Sequence, residues 1–84
     1  MRVFVLLRVE KQGHGDRESV VLVSRSRKDA EELRRGQRDQ WLSEDPKWRQ
    51  HDHVDADEVW AVWRPSGCDA PDTVSWHITQ HAVV

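Results

Sequence analysis

Residues 3–9 constrain the fold more than any other segment, because they are apolar on both sides of an extended chain. They read Val-Phe-Val-Leu-Leu-Arg-Val, a composition rich in residues that favour strands. Side chains alternate between the two faces of a strand, so apolar residues at both parities need cover on both faces. The sequence therefore predicts a strand over residues 1–9 in the interior of a sheet.

The segment that follows predicts a hairpin and then a helix. Residues 12–16 are turn material with two glycines, and residues 20–24 resume with β-branched side chains. Ser26, with Asp29 three positions later, resembles a capping box and predicts a helix that starts near Arg27. One helical stripe carries Ala30, Leu33, Gln37 and Trp41.

That stripe is narrow, which favours a helix lying on a sheet over one surrounded by other helices. Gly36 either ends the helix or weakens it by about 1 kcal/mol relative to alanine. Asp45-Pro46 ends the helix in any case, because the residue before a proline is disfavoured in helical conformation.

The second half of the chain predicts two more strands. Residues 46–57 form an irregular connection, residues 58–64 a third strand and residues 73–83 a fourth. We therefore expect one α+β domain over residues 1–84 with the element order ββαββ. Its four-stranded antiparallel sheet has the predicted strand order 2-1-3-4, and the single helix packs on one face.

Alternation predicts which side of each strand the helix covers. The uniformly apolar sides form the predicted core: Val3, Val5, Leu7, Val9, Val20, Leu22, Val59, Ala61, Trp63, Val74, Trp76 and Ile78. The other side is apolar at its centre with arginines around it. It forms the predicted partner-binding face: Phe4, Leu6, Arg8, Val21, Val23, Trp60, Val62, Arg64 and His77.

An apolar sheet face without cover is unusual in a soluble monomer, and aromatic residues with arginines are typical of protein interfaces. We therefore expect this face to bind a protein partner or a second copy of the chain. Two alternatives stay open. Residues 46–57, anchored by Trp48, could fold across the face, or its aromatic residues could be ordinary surface side chains.

Single-stranded nucleic acid is a further candidate ligand for the same face. Bases could stack on Phe4 and Trp60 while Arg8 and Arg64 hold phosphates. The net charge of −2 and the acidic stretch over residues 44–58 disfavour this interpretation.

The sequence contains no arrangement typical of an enzyme or a cofactor site, so we expect neither. His77 and His81 fall on a predicted strand, where four residues span about 13 Å, too far to share one ion. His51 and His53 are better spaced for a metal, but we favour a solvated acidic loop. Cys68 is interpreted as an ordinary free thiol.

The single cysteine excludes an internal disulfide and is compatible with a reducing compartment. The apolar run at the N-terminus is too short for the core of a signal peptide, and no stretch has the length of a membrane span. We therefore expect a cytoplasmic protein that does not insert into membranes.

In size and ββαββ order the chain resembles the small stand-alone proteins of phages and mobile elements, including anti-CRISPR and other host-defence inhibitors. The resemblance is one of general character and involves no shared motif. It implies inhibition by occluding a larger protein. The sequence thus predicts a non-enzymatic protein-binding or regulatory module, with nucleic-acid binding and metal binding as alternatives.

Overall fold

A computed structural model describes residues 1–12, 15–50, 59–65 and 71–83, with Val59 described by its backbone alone. The chain forms β1 (Arg2–Gln12), β2 (Gly15–Ser24), α1 (Arg27–Glu44), β3 (Arg49–Gln50), β4 (Val59–Arg64) and β5 (Asp72–Ala82). The expected α+β architecture, one helix on an antiparallel sheet, is confirmed.

Helix α1 begins and ends where local chemistry predicts. The Oγ of Ser26 accepts a hydrogen bond from the backbone N–H of Asp29 at 3.3 Å, which caps the first turn. Along the exposed surface, Arg27 pairs with Glu31 at 2.9 Å. The helix continues through Gly36 and ends at Glu44, before Asp45-Pro46.

The strand order of the sheet is β2-β1-β5-β4-β3, and all neighbours are antiparallel. The predicted order 2-1-3-4 was wrong, because β5 and not β4 lies beside β1. Strand β5 pairs with almost the whole of β1, from Arg2 opposite Ala82 to Lys11 opposite Thr73, a longer pairing than the six described residues of β4 could make. The predicted four strands also become five, since Arg49–Gln50 pairs with β4.

We call the sheet face under α1 the inner face and the opposite one the outer face. The buried apolar residues between helix and sheet are Leu6, Ala30, Trp48, Val62, Val74, Trp76 and Ile78. The predicted side of β5 was therefore correct, but the predicted sides of β1 and β4 were reversed. The register of β1 against β5 places Leu6 on the inner face, because Leu6 lies opposite the buried Ile78 and opposite residues share a face.

A β-bulge in β2 changes its alternation. Leu6 lies opposite Leu22 and Leu7 lies opposite Val20, which leaves Val21 as the extra residue. Leu22 consequently lies on the inner face, whereas Val20 and Val23 both lie on the outer face. The predicted grouping of Val21 with Val23 on one face was wrong for this reason.

Candidate functional site

Most of the predicted partner-binding residues lie beneath the helix. Leu6 and Val62 are fully buried, and Phe4, Val21 and Trp60 pack against the core. Arg8 and Arg64 are also on the inner face, as their contacts below show. Of the nine residues, Val23 and His77 alone lie on the outer face. The premise that these nine residues form the uncovered face is therefore wrong.

Arginine and tryptophan side chains interleave between α1 and the sheet. The guanidinium groups of Arg34 and Arg38 lie 4.1 and 3.9 Å from the ring centroid of Trp60. Arg8 lies 5.3 Å from the ring centroid of Trp41. Cation–π contacts of this kind hold arginines at a largely apolar layer, and burial lowers the pKa of Arg34. Arg8, which flanks the apolar centre of β1, therefore lies on the inner face and not at a solvent-exposed rim.

Gln37 joins the helix to two strands. Its Oε1 accepts hydrogen bonds from Arg8 Nη1 at 3.2 Å and from Trp76 Nε1 at 3.0 Å. The ring of Trp76 also meets that of Trp41 edge-on, with centroids 5.9 Å apart. The sequence placed Gln37 on the helical stripe, but only its two partners explain a polar residue there.

Arg64 connects the end of the helix to β4 and β5. Its Nε and Nη2 donate to Asp72 Oδ2 at 3.2 and 2.8 Å, and its Nη1 donates to Asp45 Oδ2 at 3.0 Å. The guanidinium also lies 4.5 Å from the ring centroid of Trp48. The backbone N–H of Lys47 and then Arg64 lower the pKa of Asp45, while Asp72 and then Asp45 raise the pKa of Arg64.

We expect acid to destabilise the fold partly through Asp45. Because its pKa is lowered in the folded protein, its contribution is complete above the pKa of the unfolded chain, near 4. That contribution is lost as the pH falls further, through the folded pKa. Urea unfolding midpoints measured between pH 6 and pH 2.5 should therefore fall less steeply for Asp45→Asn than for the unmodified protein. Asp39→Asn, on the exposed helix surface, is the control, and an equal slope for Asp45→Asn would contradict the assignment.

The outer face is an apolar sheet surface with one polar strand. Strand β1 contributes Val3, Val5, Leu7 and Val9, β2 contributes Val20 and Val23, and β4 contributes Ala61 and Trp63. The exposed fractions of Val20 and Val23 are 63% and 59%, and the apolar side chains of β1 are half-buried. Among the described residues, no helix or strand packs on this face.

The polar strand is β5, which lies between β1 and β4. Ser75 Oγ and His77 Nε2 are 2.8 Å apart, and Thr79 Oγ1 and His81 Nε2 are also 2.8 Å apart. Each hydroxyl thus meets the imidazole two residues away on the same face. Among the described residues, no carboxylate bonds to either imidazole.

The metal candidates receive no structural support within the described ranges. His51 and His53 lie outside the described residues, as does Cys68. The described part of the chain contains no group of three or more histidine, cysteine, aspartate or glutamate side chains able to hold an ion. His77 and His81 lie four residues apart on β5, as expected.

Trp48 bears on the expectation that residues 46–57 could cover a sheet face. It is buried on the inner face, and its ring meets Trp41 edge-on at 6.4 Å between centroids. Trp48 therefore extends the core below the helix, and residues 51–58 lie outside the described ranges. No helix in the described part of the chain is long and apolar enough to cross a membrane.

Comparison of the chain with protein families, curated proteins and solved structures found no match.

Proposed function

We propose that this chain is a non-enzymatic protein-binding module that uses the outer face of its sheet. The observation that carries the proposal is the apolar outer surface of β1, where half-buried Val5 and Leu7 lie with no described helix or strand packed on them. An exposed, continuous apolar patch is typical of an interaction site.

The composition of the outer face supports a protein as the ligand. Its centre is aliphatic, and the hydroxyls and imidazoles of β5 offer hydrogen-bonding groups along one side. Charged side chains lie toward one end, where Asp16 is opposite Lys11 and Arg49 is opposite Trp63. A surface of this kind can occlude part of a larger protein, which is the inhibitory role that we propose, in the cytoplasm.

Nucleic-acid binding loses the observation that suggested it. Phe4 and Trp60, the rings proposed for base stacking, pack against the core under α1. Arg8 and Arg64, proposed for phosphates, hydrogen-bond to Gln37 and to the carboxylates of Asp45 and Asp72. On the outer face, the described residues place one indole ring, that of Trp63, beside one arginine, Arg49, in place of the two rings and two arginines first proposed.

The test is affinity capture from the native host with the full chain immobilised in four forms. We compare the unmodified protein with Leu7→Asp and Thr79→Glu on the outer face, and with Lys28→Ala on the exposed helix surface. We expect at least one protein, identified by mass spectrometry, to be retained by the unmodified and Lys28→Ala forms and lost from the other two. A charge on a desolvated apolar contact should reduce such binding at least ten-fold.

Circular dichroism establishes that each form is folded before capture. Identical captured sets for all four folded forms would contradict a role for the outer face. Capture of nucleic acid that weakens steeply with salt would instead favour the nucleic-acid alternative.

A further inference from the structure

Strand β2 is a long sheet edge. It forms one end of the strand order, its ten residues pair with β1 on one side, and no described element pairs with it on the other. The opposite edge is formed by β3, of which Arg49–Gln50 is described. Residues 19–24 read Ser-Val-Val-Leu-Val-Ser and contain no charge, proline or glycine, which are features that protect an edge from pairing. The charges of β2 are confined to residues 16–18, and its bulge lies at Val21.

We propose that β2 pairs antiparallel with β2 of a second copy of this chain, so that two five-stranded sheets join into one. A two-fold axis perpendicular to the sheet relates the copies and passes beside Leu22. This inference goes beyond the proposed function, because it concerns the sheet edge. The pairing covers Val20 and Val23 of β2 and leaves the outer face of β1, β4 and β5 accessible to a partner.

The bulge at Val21 permits this register. Residues opposite each other across an antiparallel pair must lie on the same face. Val20 and Val23 are three positions apart, which in a regular strand would place them on opposite faces. The bulge brings both to the outer face, opposite Leu7 and Val5, so Val20 of one copy can lie opposite Val23 of the other. The exposed valines of both copies then cover one another across the β2–β2 pairing, which we call the seam.

The flanking residues fit the same register. Ser19 and Ser24, both on the inner face, lie opposite each other, and two small residues meet there. One position further out, Glu18 lies opposite Arg25 of the second copy, and two-fold symmetry makes this ion pair twice. Glu18 and Arg25 are both exposed in the single chain.

Charge complementarity favours this arrangement over its nearest alternative. A two-fold axis beside Val20 would pair Arg25 with Asp16 of the second copy, but it would also place the charge of Glu18 opposite the apolar side chain of Val23. The register beside Leu22 covers the exposed valines with valines and neutralises both charges. Because the pairing is isologous, it closes after two copies and uses the long edge of each.

The test measures the molar mass of the full chain by light scattering and sedimentation over a range of concentrations. We expect a concentration-dependent dimer of twice 9.9 kDa. Glu18→Arg and Arg25→Glu should each weaken the dimer about ten-fold, because each places two like-charged pairs in the seam. The double variant Glu18→Arg/Arg25→Glu should restore the dissociation constant to within about two-fold, since it recreates both pairs.

The controls separate the edge from other surfaces. Lys28→Glu and Glu32→Arg change the charge equally on the exposed surface of α1 and should leave the dimer unchanged. Val23→Lys should give a monomer, whereas Leu7→Asp should remain dimeric. A dimer lost with Leu7→Asp but insensitive to Val23→Lys would place the interface on the outer face and overturn the edge proposal, while supporting the proposed function.

Three further results would overturn the proposal. They are a monomer at all concentrations, an open-ended assembly larger than two copies, and failure of the double variant to recover the dimer. None of these bears on capture of a protein partner by the outer face, so the two proposals fail separately.

Discussion

Leu6→Asp is expected to unfold the domain, whereas Leu7→Asp is expected to leave it folded. The two residues are neighbours of identical chemistry on β1, but they point to opposite faces. Leu6 is fully buried beneath α1, and Leu7 is half-buried on the outer face. Replacing Leu6 with aspartate removes the free energy gained from burying the leucine side chain. It also places a carboxylate without a partner in the core.

The expected losses in the free energy of unfolding differ enough to distinguish Leu6→Asp from Leu7→Asp. Removing a buried leucine side chain costs about 2–5 kcal/mol, and burying a charge adds to it, against a stability of about 5–15 kcal/mol for a typical domain. Leu7→Asp should cost about 1–2 kcal/mol, the range of ordinary partly exposed substitutions. Circular dichroism and thermal unfolding measure both variants. A folded Leu6→Asp together with an unfolded Leu7→Asp would mean that α1 covers the other face of the sheet.

Trp76→Ala is the second substitution for which we expect a large loss of stability. Trp76 is the largest fully buried side chain, it meets Trp41 edge-on, and its indole N–H donates to Gln37. Truncation to alanine leaves a cavity and costs about 3–5 kcal/mol. It also removes one of the two hydrogen bonds that Gln37 Oε1 accepts.

Trp63→Ala is the matched control, because Trp63 lies on the outer face of the neighbouring strand β4. The guanidinium group of Arg49 lies 5.9 Å from the ring centroid of Trp63. A cation–π contact of this kind contributes about 0.5–1 kcal/mol at an exposed site. We expect Trp63→Ala to lower the free energy of unfolding by less than about 2 kcal/mol. Unfolding in guanidinium chloride measures this free energy for Trp63→Ala and Trp76→Ala, provided that the m-value is unchanged. Equal losses for the two variants would contradict the assignment of the two tryptophans to different faces.

Local signals in the sequence predicted the elements well. The capping box at Ser26 and Asp29, the stop at Asp45-Pro46 and the alternation of residues 73–83 depend on interactions between near neighbours. Such interactions are nearly independent of the rest of the chain, so residue order is sufficient to place them. The alternation in β5 also predicted its buried side, Val74, Trp76 and Ile78.

The reversed faces of β1 and β4 have a different origin. Both strands are apolar at both parities, so alternation gives a weak signal, and the flanking Arg8 and Arg64 were interpreted as solvent-exposed. Arginine has a long apolar stem and a flat head that stacks on aromatic rings, which lets it lie at a buried layer. Its place beside Trp41 or Trp48 depends on residues more than fifteen positions away and cannot be obtained from local pattern.

The amino-acid sequence by itself determined that residues 3–9 form an interior strand, that one helix follows the first hairpin, and that the sheet is antiparallel. Those features follow from residue type and short-range spacing. The tertiary structure alone decided that β5 pairs with β1, that the helix covers Leu6 and not Leu7, and that a bulge turns Val20 and Val23 to one face. Register between strands distant in sequence fixes all three, and through them which apolar surface remains for a partner.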